Sequence, residues 1–143
     1  MADLFQLLKF SRSGYDMAYD RAHDPRIRDL FGALASGRVL MLAELERAAA
    51  EPRFMPIPGI RLVKASLQRT WLEVLNALQL LGDQSLLSEC ARAERYMIHI
   101  YDRYMGIAGI DAATAEVLGR HKAILVANLA DIQLVMQTSG SLA

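Results

Sequence analysis

Glu44, Glu94, Arg12, Arg38 and His121 are the side chains of this 143-residue chain whose types and spacing could do chemistry inside a helical protein. Glu94 falls in the middle of a stripe of Leu87, Ala91, Ile98, Tyr101 and Met105, which recur at helical steps. A lone carboxylate on such a face is costly to bury, so it needs a partner. Arg38 lies on another apolar stripe, four residues after Leu34 and three before Met41, and Arg12 lies beside a third. A guanidinium fork suits a carboxylate because it can bind both oxygens. The expectation is an internal Arg–Glu cluster of Arg12, Arg38, Glu44 and Glu94. Its net stabilisation would be small, because desolvation offsets attraction.

The alternative chemistry is metal binding. A di-iron bundle centre draws a carboxylate from each of two helices and a Glu-x-x-His pair from each of the other two. That pair occurs nowhere in the chain: Glu94 is followed three residues later by Met97, Glu44 by Arg47 and Glu116 by Gly119. Of the three histidines, His23 stands beside a helix start. His99 shares a polar face with Arg92, Arg95, Asp102 and Arg103. Only His121, near the Val117–Leu125 stripe, could point inward, and with Glu44 and Glu94 it could hold a single metal. The reading adopted is no cofactor and no di-metal site. Cys90, in an apolar helical setting without a neighbouring histidine, reads as a buried inert thiol. No P-loop, dinucleotide fingerprint or Gly-x-Ser-x-Gly string is present. The tyrosines, Trp71 and the seven methionines read as core or interface filling, with a small apolar ligand between helices as a weaker reading.

The elements that must position these residues are helices throughout. A first helix is expected from about Ala2 to Ala22, capped by Asp3. Its inward stripe is Leu4, Leu8, Ser11, Tyr15, Ala18 and Ala22, and Gly14 is a point of close approach. Asp24 caps a second helix that has Pro25 at its first position and runs to about Ala50. Ile27, Leu30, Phe31, Leu34, Met41, Leu45 and Ala48 keep its period. Residues 51–59, EPRFMPIPG, read as an extended connection. A further helix is expected over 60–81, with Leu67, Trp71, Val74, Leu75 and Leu78 as its stripe. Asp83 should cap the helix that ends at Met105, and Asp111 a last helix over about 112–138. That last helix carries more apolar residues than one core face can use, including Val117, Leu118, Ile124, Leu125, Val126, Leu129, Ile132, Leu134 and Val135. The surplus predicts a homodimer surface.

Composition narrows the function classes. Lys plus Arg is 16 and Asp plus Glu is 16, so no global basic field recruits nucleic acid. Hydrophobic residues make up 53% and mean hydropathy is +0.17, too apolar for disorder. No apolar run approaches the roughly 20 residues of a membrane span. The opening string MADLFQLLKFSR lacks the pattern of a secretory signal, so a cytoplasmic location is expected.

Several strings, in this order, carry a resemblance: Ser13-Gly14-Tyr15; His23-Asp24-Pro25 leading to Leu30-Phe31; Ala43-Glu44-Leu45; Arg69-Thr70-Trp71-Leu72; and Leu87 to Glu94 followed by Tyr101. Together they resemble a bacterial family of ferritin-like four-helix-bundle proteins defined by a domain of unknown function. The resemblance implies a fold: an all-α, ferritin-like up-down four-helix bundle, one domain over 1–143, with an additional helix after the proline-rich connection. It implies no settled activity. The family pattern carries Glu where this chain has Arg12, an acidic residue at Ala91 and often a histidine at Leu129; Glu44, Glu89 and Glu94 are retained. The departures imply that metal-serving positions are partly replaced by a cation and by apolar groups.

Overall fold

The computed structural model describes residues 2–49, 82–107, 110 and 112–140. Four helices account for nearly all of them: α1 (Ala2–Arg21), α2 (Pro25–Ala49), α3 (Asp83–Met105) and α4 (Ala112–Gly140). Among the described residues there is no strand. The proline-rich connection, the helix expected over 60–81, the Asp111 cap and the Asp3 side chain lie outside what is described.

Local signals set the boundaries of α2. The Asp24 carboxylate accepts the Arg26 backbone N–H at 2.9 Å, which satisfies a donor the first turn leaves open. That same N–H holds the Asp24 carboxyl below its ordinary value. Asp83 behaves differently from the expected cap. Gly82 occupies the N-cap of α3, and no side chain bonds to that helix end. The Asp83 carboxylate turns to the α1–α2 turn instead, accepting the backbone N–H groups of His23 at 3.1 Å and Asp24 at 2.8 Å. Those two N–H groups have no intrahelical acceptor, so a carboxylate supplied from α3 satisfies them better than it would its own first turn.

This clasp places the start of α2 and the start of α3 at one end of the bundle, so the two helices run the same way. Gln84 donates to the Met136 carbonyl at 3.1 Å, which brings the end of α4 to that end as well. α1 and α4 therefore run opposite to α2 and α3. α1 packs on α2, α3 on α4 and α2 on α4. At Gly32 of α2 an added Cβ would stand 3.2 Å from the Tyr19 ring, so the absence of a side chain there lets α1 and α2 close up. Gly14 is itself buried.

The core follows the helical period. Leu4, Leu8, Ser11, Tyr15 and Ala18 of α1 are all buried, as is Ala22 just past its end. So are Ile27, Phe31, Leu34, Arg38, Met41 and Leu45 of α2, and Leu87, Ala91, Glu94 and Tyr101 of α3; Ile98 and Met105 are partly covered. α4 buries a thinner stripe, Thr114, Leu118, His121, Leu125 and Ile132. Ile124, Val126 and Leu134 of the expected apolar surplus are exposed in the single chain, Leu134 at 59%. No described helix is long and apolar enough to cross a membrane.

Candidate functional site

Two polar groups interrupt this core. The first joins α1, α2 and α3. Arg38 Nη2 donates to Glu94 Oε1, and both side chains are 0% exposed. Tyr15 Oη donates to the same oxygen at 2.5 Å. The guanidinium spends a second donor on Ser11 Oγ at 2.8 Å and a third on Met41 Sδ at 3.5 Å. Its carbon lies 5.4 Å from the Tyr15 ring centroid, close enough for a cation–π contact. Burial works against the Arg38 charge, but Glu94 and Tyr15 more than offset it and raise the pKa above its ordinary value. Burial, then the Glu94 charge, holds the Tyr15 phenol well above the usual range. Glu94 Oε2 has no hydrogen-bond partner among the described residues.

The second group joins α2, α3 and α4. His121, 0% exposed, places Nδ1 2.9 Å from Tyr101 Oη and Nε2 3.1 Å from Glu44 Oε2. Glu44 Oε1 accepts from Arg120, which also reaches Glu116 at 3.2 Å. The bond from Arg120 lowers the Glu44 pKa, with His121 adding to it against partial burial. Burial lowers the His121 pKa, opposed by the hydrogen bond and charge of Glu44.

The four residues expected in one cluster are thus divided. Arg38 and Glu94 meet. Glu44 belongs to the second group, because six residues separate it from Arg38, a rise of about 9 Å along the helix. Arg12 is corrected outright. It is half exposed and pairs with Asp16 one turn on, at 3.7 Å. Its Cα lies about 100° round the helix from Ser11, outside the buried stripe, and solvated pairing avoids the desolvation an inward arginine would pay. The alternative metal set is divided too: Glu44 touches His121, while Glu94 is taken up by Arg38 and Tyr15. Among the described residues no three His, Cys, Asp or Glu side chains stand together as a metal-ligand group.

Sequence reasoning missed Ser11, Tyr15, Tyr101 and Arg120. The first three were placed on inward stripes, but their hydroxyls were not matched to the charges opposite. Arg120 had a signal of its own, standing four residues after Glu116 and beside His121. Cys90 is buried, and burial with the Glu94 and Glu89 charges pushes its thiol well up, away from the reactive thiolate. His23 and His99 are exposed, and Arg92 pairs with Glu89 on the outer face.

An all-α chain whose interior carries a paired arginine and carboxylate defines the class, and comparison with known families places it further. Residues 1–106 match the family described as a domain of unknown function, DUF2383, and the chain belongs to that family. The match spans α1 to α3, and so all of the Ser11–Tyr15–Arg38–Glu94 group, while His121 and Arg120 lie beyond it. No curated protein and no solved structure matches the chain.

Proposed function

We propose that this chain is a non-enzymatic, ferritin-like bundle protein with a structural or interaction role, in which Arg38–Glu94 pairing occupies the centre where such bundles build di-metal sites. One observation carries the reading: the Arg38 guanidinium donates to Glu94 where solvent reaches neither side chain. Connectivity supports the ferritin-like part. The end of α2 and the start of α3 lie at opposite ends of the bundle, as in folds with one long crossover. The proposal further takes residues 1–143 as one domain of a bacterial, cytoplasmic protein. It assembles as a homodimer through the apolar residues Ile124, Val126 and Leu134 that α4 leaves exposed.

Elemental analysis tests it. The purified protein is equilibrated with iron, manganese and zinc, freed of loose metal and analysed by plasma mass spectrometry. The expected result is folded protein with far less than one metal per chain. Near-stoichiometric metal that disappears in Glu94→Ala would overturn the pairing and make Glu44, Glu94 and His121 a metal-binding set. Sedimentation equilibrium with Leu134→Glu checks the dimer: the variant should shift to monomer, and a monomeric wild type would remove that part.

A further inference from the structure

Tyr101, His121 and Glu44 form a line that the proposed role does not use. A carboxylate oxygen only accepts, so the hydrogen between His121 and Glu44 sits on Nε2. Nδ1 of the neutral ring is then an acceptor, and Tyr101 donates its O–H to it across 2.9 Å. The line runs from two side chains that solvent does not reach to Glu44, whose side chain is 25% exposed. Burial favours the neutral His121 ring, whose Nδ1 lone pair is free to take a proton, and the hydrogen bond and charge of Glu44 support the imidazolium that results. Burial also holds the Tyr101 phenol far above its ordinary value, so it keeps its proton while reduced. Removing an electron reverses that preference, because an oxidised phenol is a strong acid.

We propose that Tyr101 is a redox-active phenol that gives one electron to a one-electron oxidant while its hydroxyl proton moves to His121 Nδ1. The O–H bond of Tyr101 breaks and an N–H bond forms on His121. The products are a neutral phenoxyl radical, an imidazolium whose Nε2–H faces the Glu44 carboxylate, and an oxidant reduced by one electron. Tyr101 itself is sealed, so the electron leaves through the protein. α3 supplies other oxidisable side chains between Tyr101 and solvent: Met97 is buried, and Tyr96 is 37% exposed. Tyr96 precedes Tyr101 by five residues, about 7.5 Å along the helix axis, and is the exit to solvent.

The test uses the full chain and flash-generated tris(bipyridine)ruthenium(III) as the oxidant, read by electron paramagnetic resonance and transient absorption. A long-lived tyrosyl radical is expected in the wild type and in Tyr15→Phe, and its loss in Tyr101→Phe. His121→Gln keeps an acceptor for Tyr101 and an N–H for Glu44 but has no basic nitrogen. It should slow radical formation by on the order of a hundredfold, the usual contribution of a positioned proton acceptor. A long-lived radical of equal yield in Tyr101→Phe would overturn the proposal, as would an unchanged rate in a folded His121→Gln. If His121→Gln does not fold, the wild-type rate in heavy water decides: slowing is expected, and an unchanged rate rejects proton movement to His121.

Discussion

Arg38 and Glu94 come from different helices and meet where solvent reaches neither side chain. Each charge is tolerable only while the other is present. Arg38→Ala should therefore destabilise the fold by about 3–5 kcal/mol, since it leaves an uncompensated carboxylate inside. Replacing both partners, Arg38→Met with Glu94→Leu, should recover most of that loss, because the desolvation cost disappears with the attraction. Urea unfolding of the three proteins measures both effects. An unchanged midpoint in Arg38→Ala would mean that the guanidinium is solvated in solution.

The hydroxyls around the pair give a graded test. Tyr15 donates to a charged oxygen, and a hydrogen bond to a charged group contributes about 1.5–3 kcal/mol. Tyr15→Phe keeps the ring against Phe31, 6.1 Å away between centroids, and removes only that donor. Ser11→Ala takes an acceptor from Arg38 Nε. Tyr15→Phe should lower stability by about 1.5–3 kcal/mol, and its deficit should shrink when Glu94→Leu is already present. Equal losses in the two backgrounds would show that the two residues are not coupled.

The stripes were legible in the sequence because burial and helical period agree: every member of the α1 stripe from Leu4 to Ala22 is inside, and Arg38 is drawn in between Leu34 and Met41. Periodicity reports the direction a side chain leaves its helix, not its height against another helix. That is why Arg38 could be assigned to the core while Glu44 was grouped with it wrongly. Arg12 failed for a related reason, since a residue beside a stripe is as well placed for Asp16 and water as for the interior. In α4 nearly every face is apolar, so the pattern singled out His121 but not Leu118, Leu125 and Ile132 as the rest of the buried line. The parallel course of α2 and α3 is fixed by Asp83, a residue whose position at a helix start reads equally well as a local cap.

Asp83 is the tie between the α1–α2 turn and α3. Its carboxylate accepts from two backbone N–H groups, and His23 Nδ1 lies 3.5 Å away. Asp83→Ala should lower stability by about 1–3 kcal/mol, the range for lost hydrogen bonds to a charged group and for the donors left behind. The local signature is sharper than the global one: the amides of His23 and Asp24 should lose hydrogen-exchange protection before those of α2. Full protection of both amides in the variant would show that something other than Asp83 satisfies them.

Glu44 and His121 give the fold an acid-side dependence whose sign can be worked out. Folding lowers the pKa of His121 from its ordinary 6.5, chiefly by burial, so the native state favours the neutral ring. That stabilisation is complete above 6.5 and is lost as pH falls from there through the native value. Folding also lowers Glu44 from 4.5, chiefly through Arg120, and that contribution is complete above 4.5 and is lost as pH falls through the native carboxyl value. Both act in one direction, so urea midpoints should fall in two stages on acidification, with a slope of about 1.4 kcal/mol per pH unit while one proton is being taken up. His121→Gln should erase the upper stage and leave the lower. Glu44→Gln should lengthen the upper stage, because the carboxylate is what supports a charged imidazole. Stability that rises as pH drops from neutrality towards 4.5 would contradict the assignment of His121, and stability that rises on further acidification in His121→Gln would contradict that of Glu44.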